Sequence, residues 1–188
     1  MERKVIFSLF ILLAIIQLTV PAVMIAKREL TLEYGNKFKF VTAPVDPYDF
    51  FRGRYIRLNF TEARVSLTKS LDLEDGQWVY AKLKKKENGF AKIEEITLVP
   101  PQGNDYLKVQ VSYVNKRRGV VNLDLPFDPY YLGEEVAKMA ENYYQELVVK
   151  KEVSSYVVIR VEEGFGVLED FYLEGEPILE YIKSRVKN

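Results

Sequence analysis

The chain has neither cysteine nor histidine among its 188 residues. Without cysteine it has no disulfide framework and no thiolate metal site, and its composition leaves the redox compartment open. Without histidine it lacks the Ser-His-Asp and Cys-His nucleophilic devices, histidine-ligated zinc and the usual proton shuttle near neutral pH. It also lacks an excess of charge of either sign, with 27 Lys and Arg against 27 Asp and Glu. Nucleic-acid binders carry a basic excess or stripe, so no nucleic acid is expected as a partner. Low-complexity tracts and residue-level repeats are missing too. These absences favour a protein that is not an enzyme and needs no cofactor or metal, of a length suited to one folded domain.

Most of the hydropathy sits at the N-terminus, where residues 5–26 carry no charge over 22 positions. As a helix this run rises about 33 Å, enough to cross a hydrocarbon core of about 30 Å. Ser8, Gln17 and Thr19 are too few and too mild to form the polar face of a soluble core helix. A cleaved signal peptide is the rival reading, with Val20-Pro21-Ala22 or Met24-Ile25-Ala26 as a poor cleavage site. The run nevertheless exceeds the roughly 7–15 apolar residues of a signal h-region, which favours a retained single-pass anchor that includes Val5, Phe10, Ile15, Leu18 and Ile25. Arg3 and Lys4 precede the run, and Lys27, Arg28, Lys37 and Lys39 follow it, so a count of nearby positive charges does not choose an orientation. A short basic tail before an apolar run is the usual start of an export signal, and the expectation is an extracytoplasmic domain on a cell membrane.

The chain divides into residues 1–26 as anchor or uncleaved signal, 27–43 as stem and first strand, and 44–188 as a β-rich domain. Residues 30–42 read as extended, broken at Gly35-Asn36, with Phe38, Phe40 and Thr42 on one face. Residues 54–60 alternate, placing Ile56, Leu58 and Phe60 on one side. Segments 77–86 and 90–99 flank Asn88-Gly89, a strong hairpin signal. Segments 106–114 and 120–125 make a second hairpin, and 153–162 and 165–174 a third across Gly164. Residues 133–147 change to helical period, with Glu134 and Glu135 suited to the first turn, and 177–186 close the chain as a short amphipathic helix. The fold class is α+β: one N-terminal transmembrane helix, then a mostly antiparallel β domain with two helices.

Asp46 and Asp49, with Arg52, Arg54 and Arg57, form the densest polar cluster. Two carboxylates beside forked guanidinium groups would suit an acid/base pair, a cation site or anion binding, which keeps a hydrolase or metal-dependent enzyme as an alternative. The same residues also suit turns that each Asp closes on nearby N–H groups while the arginines neutralise the charge. Phe50-Phe51, Tyr130-Tyr131 and Tyr143-Tyr144, with Trp78 and Tyr80, would serve either as core or as a contact surface. Adjacent residues in extended chain face opposite ways, so one of each pair is a candidate for exposure. Lys82, Lys84, Lys85 and Lys86, and separately Lys116, Arg117 and Arg118, lie near hairpin turns, where they would touch anionic head groups or merely solvate the tips. Ser154 near Lys150 and Lys151, and Ser70 near Lys69, lack a recognisable nucleophile turn.

The stretch Asp46-Pro47-Tyr48-Asp49-Phe50-Phe51-Arg52-Gly53-Arg54-Tyr55-Ile56-Arg57-Leu58-Asn59-Phe60 resembles the signature of the GDYXXLXY family of membrane-anchored prokaryotic proteins. Gly53, Tyr55 and Leu58 match; Arg54 stands where the family usually has Asp, and Phe60 where it has Tyr. Asp128-Pro129-Tyr130-Tyr131-Leu132-Gly133 is similar to the family's aromatic segment before a helix, with Gly133 for its usual Pro, and Phe171-Tyr172-Leu173 fits its closing strand. The family has no assigned activity. Its members sit beside polytopic membrane proteins, so the resemblance implies a lipid bilayer and a polytopic membrane protein as partners. The expected function is a membrane-anchored interaction module, with an envelope glycan- or lipid-binding domain as the other non-enzymatic alternative. The candidate contact residues are Asp46, Asp49, Arg52, Arg54, Tyr55, Arg57, Tyr130 and Tyr131.

Overall fold

Helix α1 (Glu2–Tyr34) takes in the whole apolar run and continues two turns beyond it. In the computed structural model the described residues are 2–43, 55–56, 58–67, 71–127, 130–131 and 154–186. The hydroxyls of Ser8 and Thr19 donate to the carbonyls of Lys4 and Ile15 at 3.0 and 2.7 Å, which hides two polar groups inside the helix's own hydrogen-bond ladder. Pro21 lies within α1 and removes one backbone donor.

The extended chain expected from Leu30 is instead helical as far as Tyr34, and the break comes at Gly35-Asn36. Packing accounts for the difference: the last turns of α1 lie against a β-hairpin, and Thr31 there is only 2% exposed. The N–H of Gly35 donates to the Thr31 carbonyl at 2.9 Å and closes the helix. A side chain at Gly35 would collide with that carbonyl and press on Arg160, so the helix-to-strand corner needs glycine for close approach.

Among the described residues twelve strands follow in chain order: β1 (Asn36–Ala43), β2 (Tyr55–Ile56), β3 (Asn59–Phe60), β4 (Arg64–Ser66), β5 (Trp78–Lys85), β6 (Ala91–Thr97), β7 (Tyr106–Asn115), β8 (Val120–Asp124), β9 (Tyr130–Tyr131), β10 (Ser155–Glu162), β11 (Phe165–Leu173) and β12 (Glu176–Pro177). Helix α2 (Ile178–Val186) ends the fold. One five-stranded sheet has the order β12-β11-β10-β1-β3 and another β4-β8-β7-β5-β6, with β2 and β9 paired separately. Pairing within these sheets is antiparallel, and the three hairpins expected from the sequence are β5–β6, β7–β8 and β10–β11. The alternating segment 54–60 is not one strand, because β2 pairs with β9 while β3 pairs with β1.

Period-two patterning determines the core. On β1 Phe38, Phe40 and Thr42 face inward, and on β7 Leu107, Val109 and Val111 do so. The inner faces of the two large sheets share one apolar cluster. Phe40, Phe60 and Phe127 meet there with ring centroids 6.2–6.3 Å apart. Helix α2 contributes Ile178, Tyr181 and Ile182, the three-and-four spacing of one helix face, and packs on β11 and β12. The expected fold class is therefore observed: an apolar N-terminal helix, then a mostly antiparallel β domain, with two α-helices among the described residues. The helix expected at 133–147 lies outside them.

The β10–β11 turn ties the sheets together. Glu163 and Gly164 both have positive φ, 46° and 84°, the two-residue turn that matches strand twist. The N–H of Gly164 donates to the Tyr106 carbonyl at 3.0 Å, and the Lys108 N–H donates to the Gly164 carbonyl at 2.9 Å. The tip of a hairpin in one sheet thus bonds to the edge of a strand in the other.

Candidate functional site

The anchor candidates Val5, Phe10, Ile15, Leu18 and Ile25 lie on α1 and are 55–71% exposed. A helix whose large apolar side chains face outward all round is unsuited to water and is long and apolar enough to cross a membrane.

Two turns beyond this run, where α1 ends, a polar clamp fixes it to the domain. Arg160 on β10 donates through Nη1 to the Gly35 carbonyl at 2.9 Å and through Nε to Glu169 at 2.7 Å. Lys37 donates to the other Glu169 oxygen at 2.9 Å. Burial by itself raises the Glu169 carboxyl, but the bonds and charges of Arg160 and Lys37 outweigh it, and the carboxyl is held below the usual range. Lys27 lies over the Phe165 ring at 4.5 Å, and Asn36 donates to Asp105 at 2.7 Å. The clamp residues were not expected as a group. They are separated by up to 134 positions, and only the Gly35 break hints that something meets the chain there.

The structure joins two segments that the sequence singled out separately. Tyr55 pairs in register with Tyr131, and Ile56 with Tyr130, so the stretch around residue 55 and the aromatic segment around residue 130 form one short ladder. Tyr130 stacks edge-on against Phe171 at 5.8 Å and directs its hydroxyl to Asp170 at 3.4 Å. That bond is long, and burial is the leading reason its phenol is pushed up to about 12, followed by the Asp170 charge and the bond itself. Tyr130 is therefore a neutral donor under ordinary conditions. Leu58 and Phe60, each 7% exposed, belong to the core. Asp46, Asp49, Arg52, Arg54 and Arg57 lie outside the described residues.

Several cations near the hairpin turns have local partners. Lys82 and Lys84 approach Glu94 at 3.4 and 3.5 Å, and Lys86 approaches Glu62 at 3.2 Å. Lys116 donates to Asp72 at 2.8 Å and holds its carboxyl below the usual range, but both are exposed, so this pair contributes little to stability.

This arrangement defines a class: an α+β protein in which one membrane-length apolar helix leads directly into an antiparallel β domain. The family model described as GDYXXLXY protein matches residues 17–171, and the chain belongs to the GDYXXLXY family. Neither the curated proteins nor the solved structures contain a match to the chain.

Proposed function

We propose that the chain is a single-pass, membrane-anchored, extracytoplasmic interaction module without enzymatic activity, whose β domain binds another membrane or envelope protein. The observation that carries this reading is the continuity of α1 from its apolar run into the clamped corner at Gly35. A ligand-capturing domain gains reach from a flexible stem. A domain held at a fixed height and angle on its helix suits docking to a partner in the same membrane, because little orientational freedom is lost on binding. The absence of histidine and cysteine and the family membership support the same reading.

The test is crosslinking in native membranes followed by purification of the intact protein and of the Asp49→Ala/Arg52→Ala variant, with thermal unfolding to check that the variant is folded. The expected result is a discrete membrane-protein adduct that the folded variant loses. Specific binding of glycan or lipid by the domain with no protein adduct would replace this reading with the ligand-binding one.

A further inference from the structure

The outer face of the sheet containing β5 and β7 carries an aromatic and basic surface that neither the core nor the clamp uses. Trp78 is 56% exposed, with the Lys108 ammonium 5.5 Å from its ring centre. Tyr80 and Tyr106 meet edge to face at 5.8 Å. The register interleaves the two residue types, since Tyr80 faces Lys108 and Lys82 faces Tyr106 across the β5–β7 pair.

This surface adjoins the point where α1 leaves its apolar run. Tyr106 and Lys108 are the residues whose backbone groups bond Gly164, and a side chain at Gly164 would lie 3.0 Å from the Tyr106 ring. Beside Gly164, Glu162 and Glu163 line a cleft of about 350 Å³ together with Val23, Ala26, Lys27, Leu30 and Thr31 of α1. Val23 and Ala26 belong to the last turn of the uncharged run. One hydrogen-bonded turn therefore connects the end of the apolar run to the edge of the aromatic surface.

Trp and Tyr prefer the depth of lipid head groups, where the ring body is apolar and the polar edge stays wet. Lys108 on the same face adds attraction to anionic lipid and extends its charged end from an apolar stem, whereas Lys82 and Lys84 are paired with Glu94. We infer that the Trp78, Tyr80, Tyr106 and Lys108 face is a second membrane contact that lays the β domain against the head groups of the bilayer α1 enters. This inference rests on the anchored reading and adds to it that the domain itself touches lipid.

Trp78 is the chain's single tryptophan, so its fluorescence reports on this face alone. The full chain is reconstituted in phosphatidylcholine vesicles, with and without phosphatidylglycerol, that contain lipid brominated at shallow acyl positions. Alkaline extraction reads anchoring separately. The expected result is an extraction-resistant chain whose Trp78 emission is blue-shifted and quenched by brominated lipid, more strongly with phosphatidylglycerol. Lys108→Gln shifts the contact population by about fivefold in the anionic vesicles, while extraction resistance and the unfolding midpoint stay unchanged. An extraction-resistant chain with unshifted, unquenched Trp78 in both compositions overturns the lipid contact and leaves the anchor standing. Loss of the chain on extraction overturns both.

Discussion

The apolar run of α1 and the core between the sheets use the same residue types under opposite conditions. Phe10 is 65% exposed and Leu18 71%, whereas Phe40 and Leu107 are fully buried. Mean hydropathy separates the two regions, and periodicity says what each packs against. Along α1 apolar side chains point in every direction, which leaves them uncovered by the domain. On β1 and β7 they alternate with Lys and other polar residues, which requires another sheet. The core is closed by protein, and the run is left for something else to close, which we have proposed is a bilayer. Gly35 and its clamp lie at the boundary between the two regimes.

The sharpest way to break the comparison is to remove the same ring from each region. Phe40→Ala is expected to lower the stability of the β domain by about 3–5 kcal/mol, read as a fall in the denaturant midpoint of the full chain in mild detergent. Phe10→Ala should leave that midpoint within about 0.5 kcal/mol of the original. An equal loss in both variants would mean that α1 packs within the domain. Ile15→Lys makes the complementary change, since a lysine at the centre of a spanning helix costs about 2.5–3.5 kcal/mol of insertion. It is expected to make the chain extractable from membranes by alkali while the unfolding midpoint does not move.

The sequence makes much of this comparison legible, and where it fails the reason is tertiary. The Asn88-Gly89 and Gly164 hairpins and the inward sets Phe38, Phe40, Thr42 and Leu107, Val109, Val111 follow from turn chemistry and alternation, which are local. The helical conformation of residues 30–34 does not, because what stabilises it is contact with β10 and β11, more than 120 residues away in the chain. For the same reason the alternating stretch 54–60 reads as one strand although its two ends pair with different partners. Beside the candidate site, the core residues Leu58 and Phe60 were legible as an inward face. The pairing of Tyr55 with Tyr131 carries no pairwise signal in a single sequence and had to be seen.

At the boundary the expected effects are smaller. Gly35→Val forces a side chain against the Thr31 carbonyl and the Arg160 stem, and is expected to cost about 1–3 kcal/mol. The same variant should speed hydrogen exchange at the N–H groups of residues 31–35, because the corner opens before the sheets do. Unchanged exchange there would show that the helix end is not held by this corner. Arg160→Met should reproduce the faster exchange with a smaller loss of stability, since it removes the bonds to the Gly35 carbonyl and to Glu169 but fits the space.

The smallest effect is electrostatic and has a defined sign. The Glu169 carboxyl titrates below an unfolded glutamate, whose pKa is about 4.3, because the bonds and charges of Arg160 and Lys37 outweigh the opposing effect of burial. A carboxylate whose folded pKa is lowered contributes stability above the unfolded value and loses it as pH falls through the folded one. The stability difference between the original chain and Glu169→Gln is therefore expected to be constant near neutral pH and to shrink from about pH 4.3 downward. Denaturant midpoints of the two proteins across that range provide the measurement. Parallel acid limbs would mean that Glu169 serves the clamp by shape rather than by charge, and the loss in Arg160→Met would then come from its bond to the Gly35 carbonyl alone.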